Sequence, residues 1–488
     1  MRALSLVKRI EFEFPGNVAR NALALGDVDN DGCNELVVGN HNGEVAIFKG
    51  REKFQTITKL SFVSCIAIGD VMNQNKNILI VVTGDGWCYL YAAPEYSDSE
   101  LTMTNVEGIE QIDGQIHSTS GTGSFETLPS SDTGSTIKIK RENDKNELVC
   151  IHKQRIPANA KHIILGDIDG DGYTEMVLGL TDRVVRSYRW IANPHKSDFN
   201  IMDANLDFEP SEKLLGKFLA LNKWECANQI GSITLHHSLD GKASILIAQP
   251  GGTFMRIKCS SDSVAVQEDF ENSGHSHSNS SGAEVISGTV DYQFLGISRM
   301  RNPNISTEIL GDLRREQTSE VVPSKGKPYA LATLDGTIML VQDEVISWAF
   351  AVDHQIFALT KLDVTGNGSD DIVVCSWDGQ TYILDQDKNC VRFHLDEPVQ
   401  AFESGFYNLK TTEADVTCLV YINFKNTIAV YYDLPLKELT CKKFEPDPEK
   451  LSKLFVGDDV SAEKALEIVK TMDRKTKKEL VEHLLYNV

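Results

Sequence analysis

The sequence repeats one short unit, and this repetition constrains the fold more than any other feature. Each copy begins with an acidic loop, continues as an apolar run, turns at a polar pair and ends in an alternating strand. The clearest copies begin at Asp27, Asp70, Asp167 and Asp363, and in each of them the turn starts 15 residues later. A loop, a buried strand, a tight hairpin and an alternating strand make up half of a four-stranded sheet.

Three further turns follow apolar strands, at Gly251-Gly252, Asp335-Gly336 and Lys425-Asn426, and they bring the number of units to seven. Neighbouring turns without an intervening insertion are 43 to 47 residues apart. A period of roughly 40–45 residues built from short strands is typical of a four-stranded propeller blade. The sequence therefore predicts an all-β, seven-bladed β-propeller over residues 1–434.

The strand predicted at Leu4–Phe14 precedes the first unit and has no partner in it. We expect it to pair with Ile428–Tyr432 in the last unit, because a ring of sheets must protect its final edge. Polar insertions at about 97–148 and 259–290 lengthen two of the intervals, and their composition predicts mobile loops.

After Leu434 the apolar spacing becomes helical, which predicts a short C-terminal helical extension over residues 435–488. Ser461 and Asp473 are the expected caps of two helices. The sequence leaves two roles open for this tail: packing on the propeller, or docking on a partner protein.

The chain has 70 acidic against 48 basic residues, a formal net charge of −22. This balance disfavours nucleic acid or an anionic membrane as the main ligand, because both require clustered Lys and Arg. No apolar run is long enough to span a membrane, and the N-terminal residues lack the pattern of a signal peptide. We therefore expect a cytoplasmic protein without direct membrane insertion, whose ten cysteines are reduced.

Acidic and amide side chains alternate along the loops, a pattern that can surround Ca²⁺ with oxygen atoms. The candidate metal ligands are Asp27, Asp29, Asp31 and Glu35, then Asp167, Asp169, Asp171 and Glu175, and in a weaker copy Asp363, Asn367 and Asp371. The alternative is purely structural: the aspartates cap backbone amides in tight turns, and a glycine such as Gly32 supplies a positive φ. Repulsion among four carboxylates favours a cation in the two stronger copies. No cofactor is required, and a structural Ca²⁺ is one of these two hypotheses.

These loops resemble FG-GAP repeats, the propeller units of integrin α-subunits, in which Gly-Asp precedes D-x-D-x-D-G-x-x-[DE] and an apolar strand. The flanking strings GDVDND, IPANAKHIILGDIDGDG, DRVVRSYRW and KLDVTGNG are similar to those of the branch whose members are subunits of the KICSTOR complex. The likeness spans most of the repeat region. It implies a scaffold subunit that associates with other subunits of a KICSTOR-like complex and helps to recruit a GATOR-type GTPase-activating complex. It also implies peripheral association with the lysosomal membrane through partners, and restraint of TOR signalling when amino acids or glucose are limiting.

Three classes of function remain after this comparison. The first is the intracellular scaffold, the second a cell-surface or secreted integrin-like propeller that binds ligands, and the third a propeller enzyme or lectin. The sequence contains no nucleophile elbow, HExxH motif, Walker loop or dinucleotide fingerprint, so we expect no catalytic activity. Trp87, Trp190 and Trp377 lie close to equivalent turns, and we expect their rings to pack between adjacent blades.

Overall fold

The computed structural model describes residues 2–94, 147–192, 215–260, 287–294, 304–316, 325–410, 412–434, 448–453, 455 and 461–486. The chain divides into two compact units, Met1–Leu436 and Lys437–Val488. Most of the insertions predicted at about 97–148 and 259–290 lies outside the described residues. The described edges of the second insertion belong to strands, since one strand ends at Ser260 and the next begins at Ser287.

The first unit consists of strands that pair mainly with their neighbours along the chain. Two short strands precede the repeats: β1 (Arg2–Ala3) and β2 (Arg9–Glu13). The first repeat contains β3 (Val18–Gly26), β4 (Glu35–Asn40), β5 (Val45–Lys49) and β6 (Glu52–Ile57). The second contains β7 (Val63–Gly69), β8 (Ile78–Thr83), β9 (Trp87–Ala92) and β10 (Val149–Arg155). The third contains β11 (Ala160–Gly166), β12 (Glu175–Leu180), β13 (Val184–Ala192) and β14 (Gly216–Glu225).

The later repeats follow the same order. The fourth contains β15 (Ile233–His237), β16 (Ala243–Gln249), β17 (Thr253–Ser260) and β18 (Ser287–Phe294). The fifth contains β19 (Thr307–Leu310), β20 (Tyr329–Thr333), β21 (Thr337–Gln342) and β22 (Val345–Ala351). The sixth contains β23 (Ile356–Leu362), β24 (Asp371–Ser376), β25 (Gln380–Leu384) and β26 (Cys390–His394). The seventh contains β27 (Val399–Tyr407), β28 (Val416–Asn423) and β29 (Thr427–Tyr432).

Hydrogen bonds join the described strands into six sheets, not into the seven separate sheets that the sequence predicts. Four sheets have four strands, and a fifth has five because β1 adds to β26 in parallel. The sixth sheet has eight strands, the four of the first repeat and the four of the second. These two halves share one parallel residue pairing, Asn21 opposite Cys65. The described fold is an all-β β-propeller with few helices.

The second strand of a repeat is its most deeply buried strand. Every residue of β4, β8, β12, β16, β20 and β24 is buried, which explains why these strands are apolar along their length instead of alternating. The outer strands alternate between covered and exposed positions, as β2 and β22 do. Each fully buried Val, Leu or Ile contributes about 1.5–3 kcal/mol. The core is therefore distributed around the ring, between neighbouring sheets.

The N-terminal strand closes the ring, as the sequence predicts. Strand β2 pairs antiparallel with β29, with Ile10 opposite Val430 and Phe12 opposite Ile428. The Tyr407 hydroxyl at the end of β27 also donates a hydrogen bond of 2.8 Å to the Gly50 carbonyl of the first repeat. The last sheet is thus completed by the first residues of the chain.

The three tryptophans differ in their surroundings. Trp190 is 5% exposed, and the centroid of its ring lies 4.9 Å from that of His152 in the preceding repeat. This contact confirms its predicted place between blades. Trp87 is half-buried beneath the Lys153 ammonium group, 4.2 Å away. The prediction is wrong for Trp377, which is 38% exposed and stacks on Phe357 of its own sheet.

The second unit is helical, with α1 at Pro448–Ser452, α2 at Ala462–Thr471 and α3 at Arg474–Tyr486. Ser461 occupies the N-cap of α2 without a side-chain hydrogen bond. Asp473 caps α3, because its carboxylate accepts a 2.7 Å hydrogen bond from the Thr476 amide. Among the described residues, none of these helices has both the length and the apolar character needed to cross a membrane.

Candidate cation-binding loops

The predicted metal ligands lie in loops that join the first strand of a repeat to its second strand. These are the β3–β4, β11–β12 and β23–β24 connections, and the β7–β8 connection carries the degraded copy. Each of them leaves the first strand of its repeat at that strand's C-terminal end. We call them the first, third, sixth and second loops, after their repeats.

The leading aspartate of each loop folds the backbone around its own carboxylate. Asp27 accepts hydrogen bonds from the amides of Asp31, at 3.2 Å, and Gly32, at 2.8 Å. The same arrangement surrounds the leading aspartate of the other loops: Gly170 and Gly172 donate to Asp167, Asn367 and Gly368 donate to Asp363, and Gln74 and Asn75 donate to Asp70. The capping geometry expected from the structural hypothesis is therefore present in all four loops.

The ninth position of three loops carries a carboxylate that is almost fully buried. Glu35, Glu175 and Asp371 are 2%, 0% and 1% exposed. Each accepts a hydrogen bond of 2.9 to 3.0 Å from the backbone amide of the second loop residue. Burial raises the pKa of each of these carboxyl groups to about 7. The hydrogen bond that joins the two ends of the loop therefore requires a carboxyl group to be removed from water.

In the first loop, the Lys49 ammonium group lies among the carboxylates. Lys49 is the last residue of β5, and its Nζ is 2.5 Å from Asp29 Oδ2, 3.0 Å from Asp31 Oδ2 and 3.2 Å from Glu35 Oε1. Burial alone would lower the pKa of Lys49, but the hydrogen bond to Asp29 and the charge of Glu35 raise it above its ordinary value. Lys49 is therefore held in its charged form.

Arg189 of β13 takes the same position in the third loop. Its Nη2 is 2.6 Å from Glu175 Oε1, 2.8 Å from Asp171 Oδ2 and 3.1 Å from Asp169 Oδ2, and its Nε donates a second bond to Glu175 at 2.8 Å. Arg189 also lies directly opposite Glu175 in the strand pairing. A guanidinium group in this position satisfies several carboxylate oxygens at once.

The sixth loop has an acid where the other two have a base. The pairing of Ile372 with Leu384 places Asp385 opposite Asp371. Within the described residues, no Lys, Arg or His forms an ion pair with Asp363, Asp371 or Asp385. After burial, the pKa of Asp371 is raised further by the charges of Asp363 and Asp385. Hydrogen bonds from the backbone amides of Thr365 and Val364 act against this rise.

Asparagines in the first and second loops bond to the next repeat. Asn30, at φ 62°, donates to the Asn77 carbonyl at 3.1 Å and accepts from the Asn77 amide at 2.7 Å. Asn73, at φ 57°, makes the corresponding pair of bonds with Thr174. Asparagine tolerates this left-handed backbone and supplies both a donor and an acceptor. These hydrogen bonds connect each repeat to the next one.

The structure brings together most of the predicted ligands of two loops. Carboxylate oxygens of Asp27, Asp29 and Glu35 lie within 4.8 Å of one another, as do those of Asp167, Asp169 and Glu175. Asp31 and Asp171 reach the same groups through Lys49 and Arg189. In the sixth loop, the backbone amide of Asn367 donates to Asp363 at 3.1 Å, and Asp371 is buried at the ninth position. The donors fit a divalent cation in type, but a basic side chain already contacts them, and calcium binding stays a prediction.

Sequence reasoning from the loops alone did not find Lys49 and Arg189. A signal was present, because each stands 22 positions after the leading aspartate of its loop. The residue 22 positions after Asp363, the leading aspartate of the sixth loop, is Asp385. The inter-repeat role of Asn30 and Asn73 carried no such signal, because it depends on how adjacent sheets meet.

Comparison with known proteins places this chain in a family. The sequence profile described as integrin-alpha FG-GAP repeat-containing protein 2 matches residues 52–436, and the FG-GAP repeat profile matches residues 19–48. The mouse (Mus musculus) KICSTOR complex protein ITFG2 is 34% identical over 458 residues, covering 92% of this chain and 90% of that protein. The bovine (Bos taurus) KICSTOR complex protein ITFG2 is 33% identical over 445 residues, covering 90% of this chain and 73% of its own length.

Among solved structures, BBS1N in complex with ARL6DN, soaked with lead, is similar at a TM-score of 0.51 and 14% identity. The match covers 89% of this chain and 98% of that chain, and at this identity it supports the propeller fold alone. The profile match and the identity to the curated relatives extend over most of the sequence. The chain therefore belongs to the integrin-α FG-GAP repeat-containing protein 2 family.

Proposed function

We propose that this chain is a non-catalytic scaffold subunit of a KICSTOR-like complex. The observation that carries the proposal is the 34% identity, over 92% of the chain, to a mouse protein named as a KICSTOR complex protein. A propeller offers a broad rigid surface, and fold alone does not select a function. No cofactor is needed for this role.

The architecture proposed for the scaffold is a seven-bladed propeller over residues 1–434 and a helical tail over residues 435–488. We count the eight-stranded sheet as two blades, because a single residue pairing, Asn21 with Cys65, joins its halves. The loop bonds of Asn30 and Asn73 support this count, since each connects one four-stranded group to the next.

The finer role is proposed from the family resemblance. The chain would assemble with other KICSTOR-like subunits and help to recruit a GATOR-type GTPase-activating complex to lysosomes, reaching the membrane only through partners. There it would restrain TOR signalling when amino acids or glucose are limiting. The net charge of −22 favours basic protein surfaces as partners and disfavours nucleic acid.

A replacement experiment tests the proposal at two levels. The chain is expressed in mouse cells that lack their own KICSTOR complex protein ITFG2, and is purified through a tag. We expect stoichiometric recovery of the other KICSTOR subunits, lysosomal recovery of the GATOR-type complex, and a restored fall in TOR substrate phosphorylation after amino-acid withdrawal. Absence of the subunits would contradict the scaffold role. Recovery of the subunits without the TOR response would contradict only the finer role.

The helical tail offers a matched pair of variants for the same assay. Ile468 is 43% exposed on α2, and Lys470 is an exposed residue of the same helix on the opposite face. If the tail docks on a partner through the face of Ile468, Ile468→Glu reduces recovery of one subunit and Lys470→Glu does not. Equal recovery with both variants would remove this face of the tail from the interface.

A further inference from the structure

The strongest unexplained feature is a basic side chain inside each of two acidic loops. Lys49 and Arg189 come from different repeats, yet each places one nitrogen against three carboxylates of its own loop. We propose that Lys49 and Arg189 are the built-in cations of the first and third loops, so that these loops hold their shape without a divalent metal ion.

The contacts have the form that a bound cation would require. The nitrogen is within 3.2 Å of all three carboxylates in each loop, and those carboxylates come from the third, fifth and ninth loop positions. Calcium draws its ligands from alternate positions in a loop in the same way, at roughly 2.3–2.6 Å. A metal ion bound to these oxygens would therefore meet a second positive charge at close range, which is strongly unfavourable where water is excluded.

The leading aspartates strengthen the argument, because each of their oxygens already accepts a hydrogen bond. Asp27 accepts from two backbone amides, and Asp167 does the same. The second oxygen of the buried glutamate is also taken, by the amide of Val28 in the first loop and of Ile168 in the third. A metal ion would have to compete with these hydrogen bonds and with the basic side chain for the carboxylate oxygens.

The basic side chains are positioned by regular structure. Arg189 stands opposite Glu175 in the β12–β13 pairing, and Lys49 ends the equivalent strand β5. Lys49 is 21% exposed and Arg189 is 17% exposed at the side chain. Their conformations are therefore limited before the loop closes, which reduces the entropy lost on pairing.

One carboxylate oxygen of the first loop is not accounted for by the pairing with Lys49. Among the described residues of these two loops, Asp29 Oδ1 is a buried carboxylate oxygen without a hydrogen-bond partner. The corresponding oxygen of the third loop, Asp169 Oδ1, accepts from the Asp171 amide at 3.4 Å. A calcium effect in the native protein would therefore be expected in the first loop before the third.

Thermal unfolding of the purified full chain tests the proposal in chelator, in millimolar magnesium and in millimolar calcium. The native protein should have the same Tm in all three solutions. Lys49→Met and Arg189→Met should lower the Tm in chelator, and calcium, but not magnesium, should restore about 2–5 °C by binding the freed carboxylates. Lys53→Met and Lys217→Met remove exposed lysines from neighbouring strands of the same sheets, and should show neither effect.

A rise in the Tm of the native protein that calcium causes and magnesium does not would overturn the proposal, because Lys49 and Arg189 are both present in that protein. If the methionine variants do not fold, Lys49→Arg and Arg189→Lys keep the charge in place. They should remain insensitive to calcium, and a calcium-dependent Tm in either would count against the proposal. Calorimetric titration of the native protein with calcium provides a second measurement, in which binding heat at the loops would contradict it.

Discussion

The third and sixth loops have almost the same backbone but opposite electrostatics. Both fold around a leading aspartate and bury a ninth-position carboxylate against the loop. In the third loop Arg189 neutralises that carboxylate, whereas the described residues of the sixth loop place Asp385 opposite it. The backbone hydrogen bonds are therefore sufficient to form the loop, and the cation determines the free energy of the buried charge.

The largest effect should follow removal of the cation from the third loop. Arg189→Met leaves Glu175 buried beside Asp169 and Asp171 without a positive partner. Loss of one partner of a buried ion pair costs about 3–5 kcal/mol. Urea unfolding at neutral pH in chelator, with Lys217→Met as the control, measures the change. A loss of the same size in both variants would show that the cluster is not the cause.

The same change in the first loop should have a smaller effect. Lys49→Met removes a point charge instead of a guanidinium group, and Lys makes one contact with Glu35 where Arg189 makes two. We expect a loss of about 2–3 kcal/mol in the free energy of unfolding. Urea unfolding alongside Lys53→Met measures it, and a loss larger than that of Arg189→Met would reverse the ranking of the two loops.

Neutralising the buried acid should separate the two loop types. Glu175→Gln deprives Arg189 of its closest carboxylate and should cost about 1–2 kcal/mol. Asp371→Asn keeps an oxygen for the Val364 amide while it removes a buried charge that has no basic partner among the described residues, so we expect no loss or a gain of about 0.5–1 kcal/mol. Chemical denaturation of the pair measures the difference. Equal losses would mean that the cation is unimportant to the free energy of the loop.

The smallest effect concerns the bonds between repeats. Asn30→Gly keeps the positive φ but removes both bonds to Asn77, and we expect a loss of about 0.5–1 kcal/mol. The third loop already has glycine, Gly170, at this position. Hydrogen exchange of the Asn77 amide should become faster in the variant, and unchanged exchange would show that the bond contributes little.

The sequence predicts the strands and the ring closure because both depend on local pattern. A buried second strand requires an unbroken apolar run, and a closed ring requires an extra strand such as Leu4–Phe14. The fusion of two repeats into one sheet could not be predicted, because it depends on the approach of Asn21 to Cys65. The prediction was wrong for Trp377 because this residue lies at the start of its turn, beside Asp378-Gly379, whereas Trp190 lies within the strand that follows its turn. The Trp377 ring stacks on Phe357 of its own sheet instead of entering a gap between sheets.

The sequence predicts the acidic residues of the candidate site, but not its basic residues. The aspartates and glutamates are close in sequence, so their alternation reveals the loop. Lys49 and Arg189 lie beyond the next strand and hairpin, and their role is visible only when the register across the hairpin is known. We expect a search 22 residues after each leading aspartate to find such basic side chains in related sequences.

The closure between β2 and β29 also sets an order of events during synthesis. Arg9 and Tyr431 are 422 residues apart, so a ribosome working at about 5–20 residues per second takes roughly 20–80 seconds to deliver the partner of the N-terminal strand. Throughout that time the alternating segment around Ile10 and Phe12 has no native strand to pair with. Until β29 has been synthesised, this unpaired segment is exposed to pairing with other chains, which is a route to aggregation.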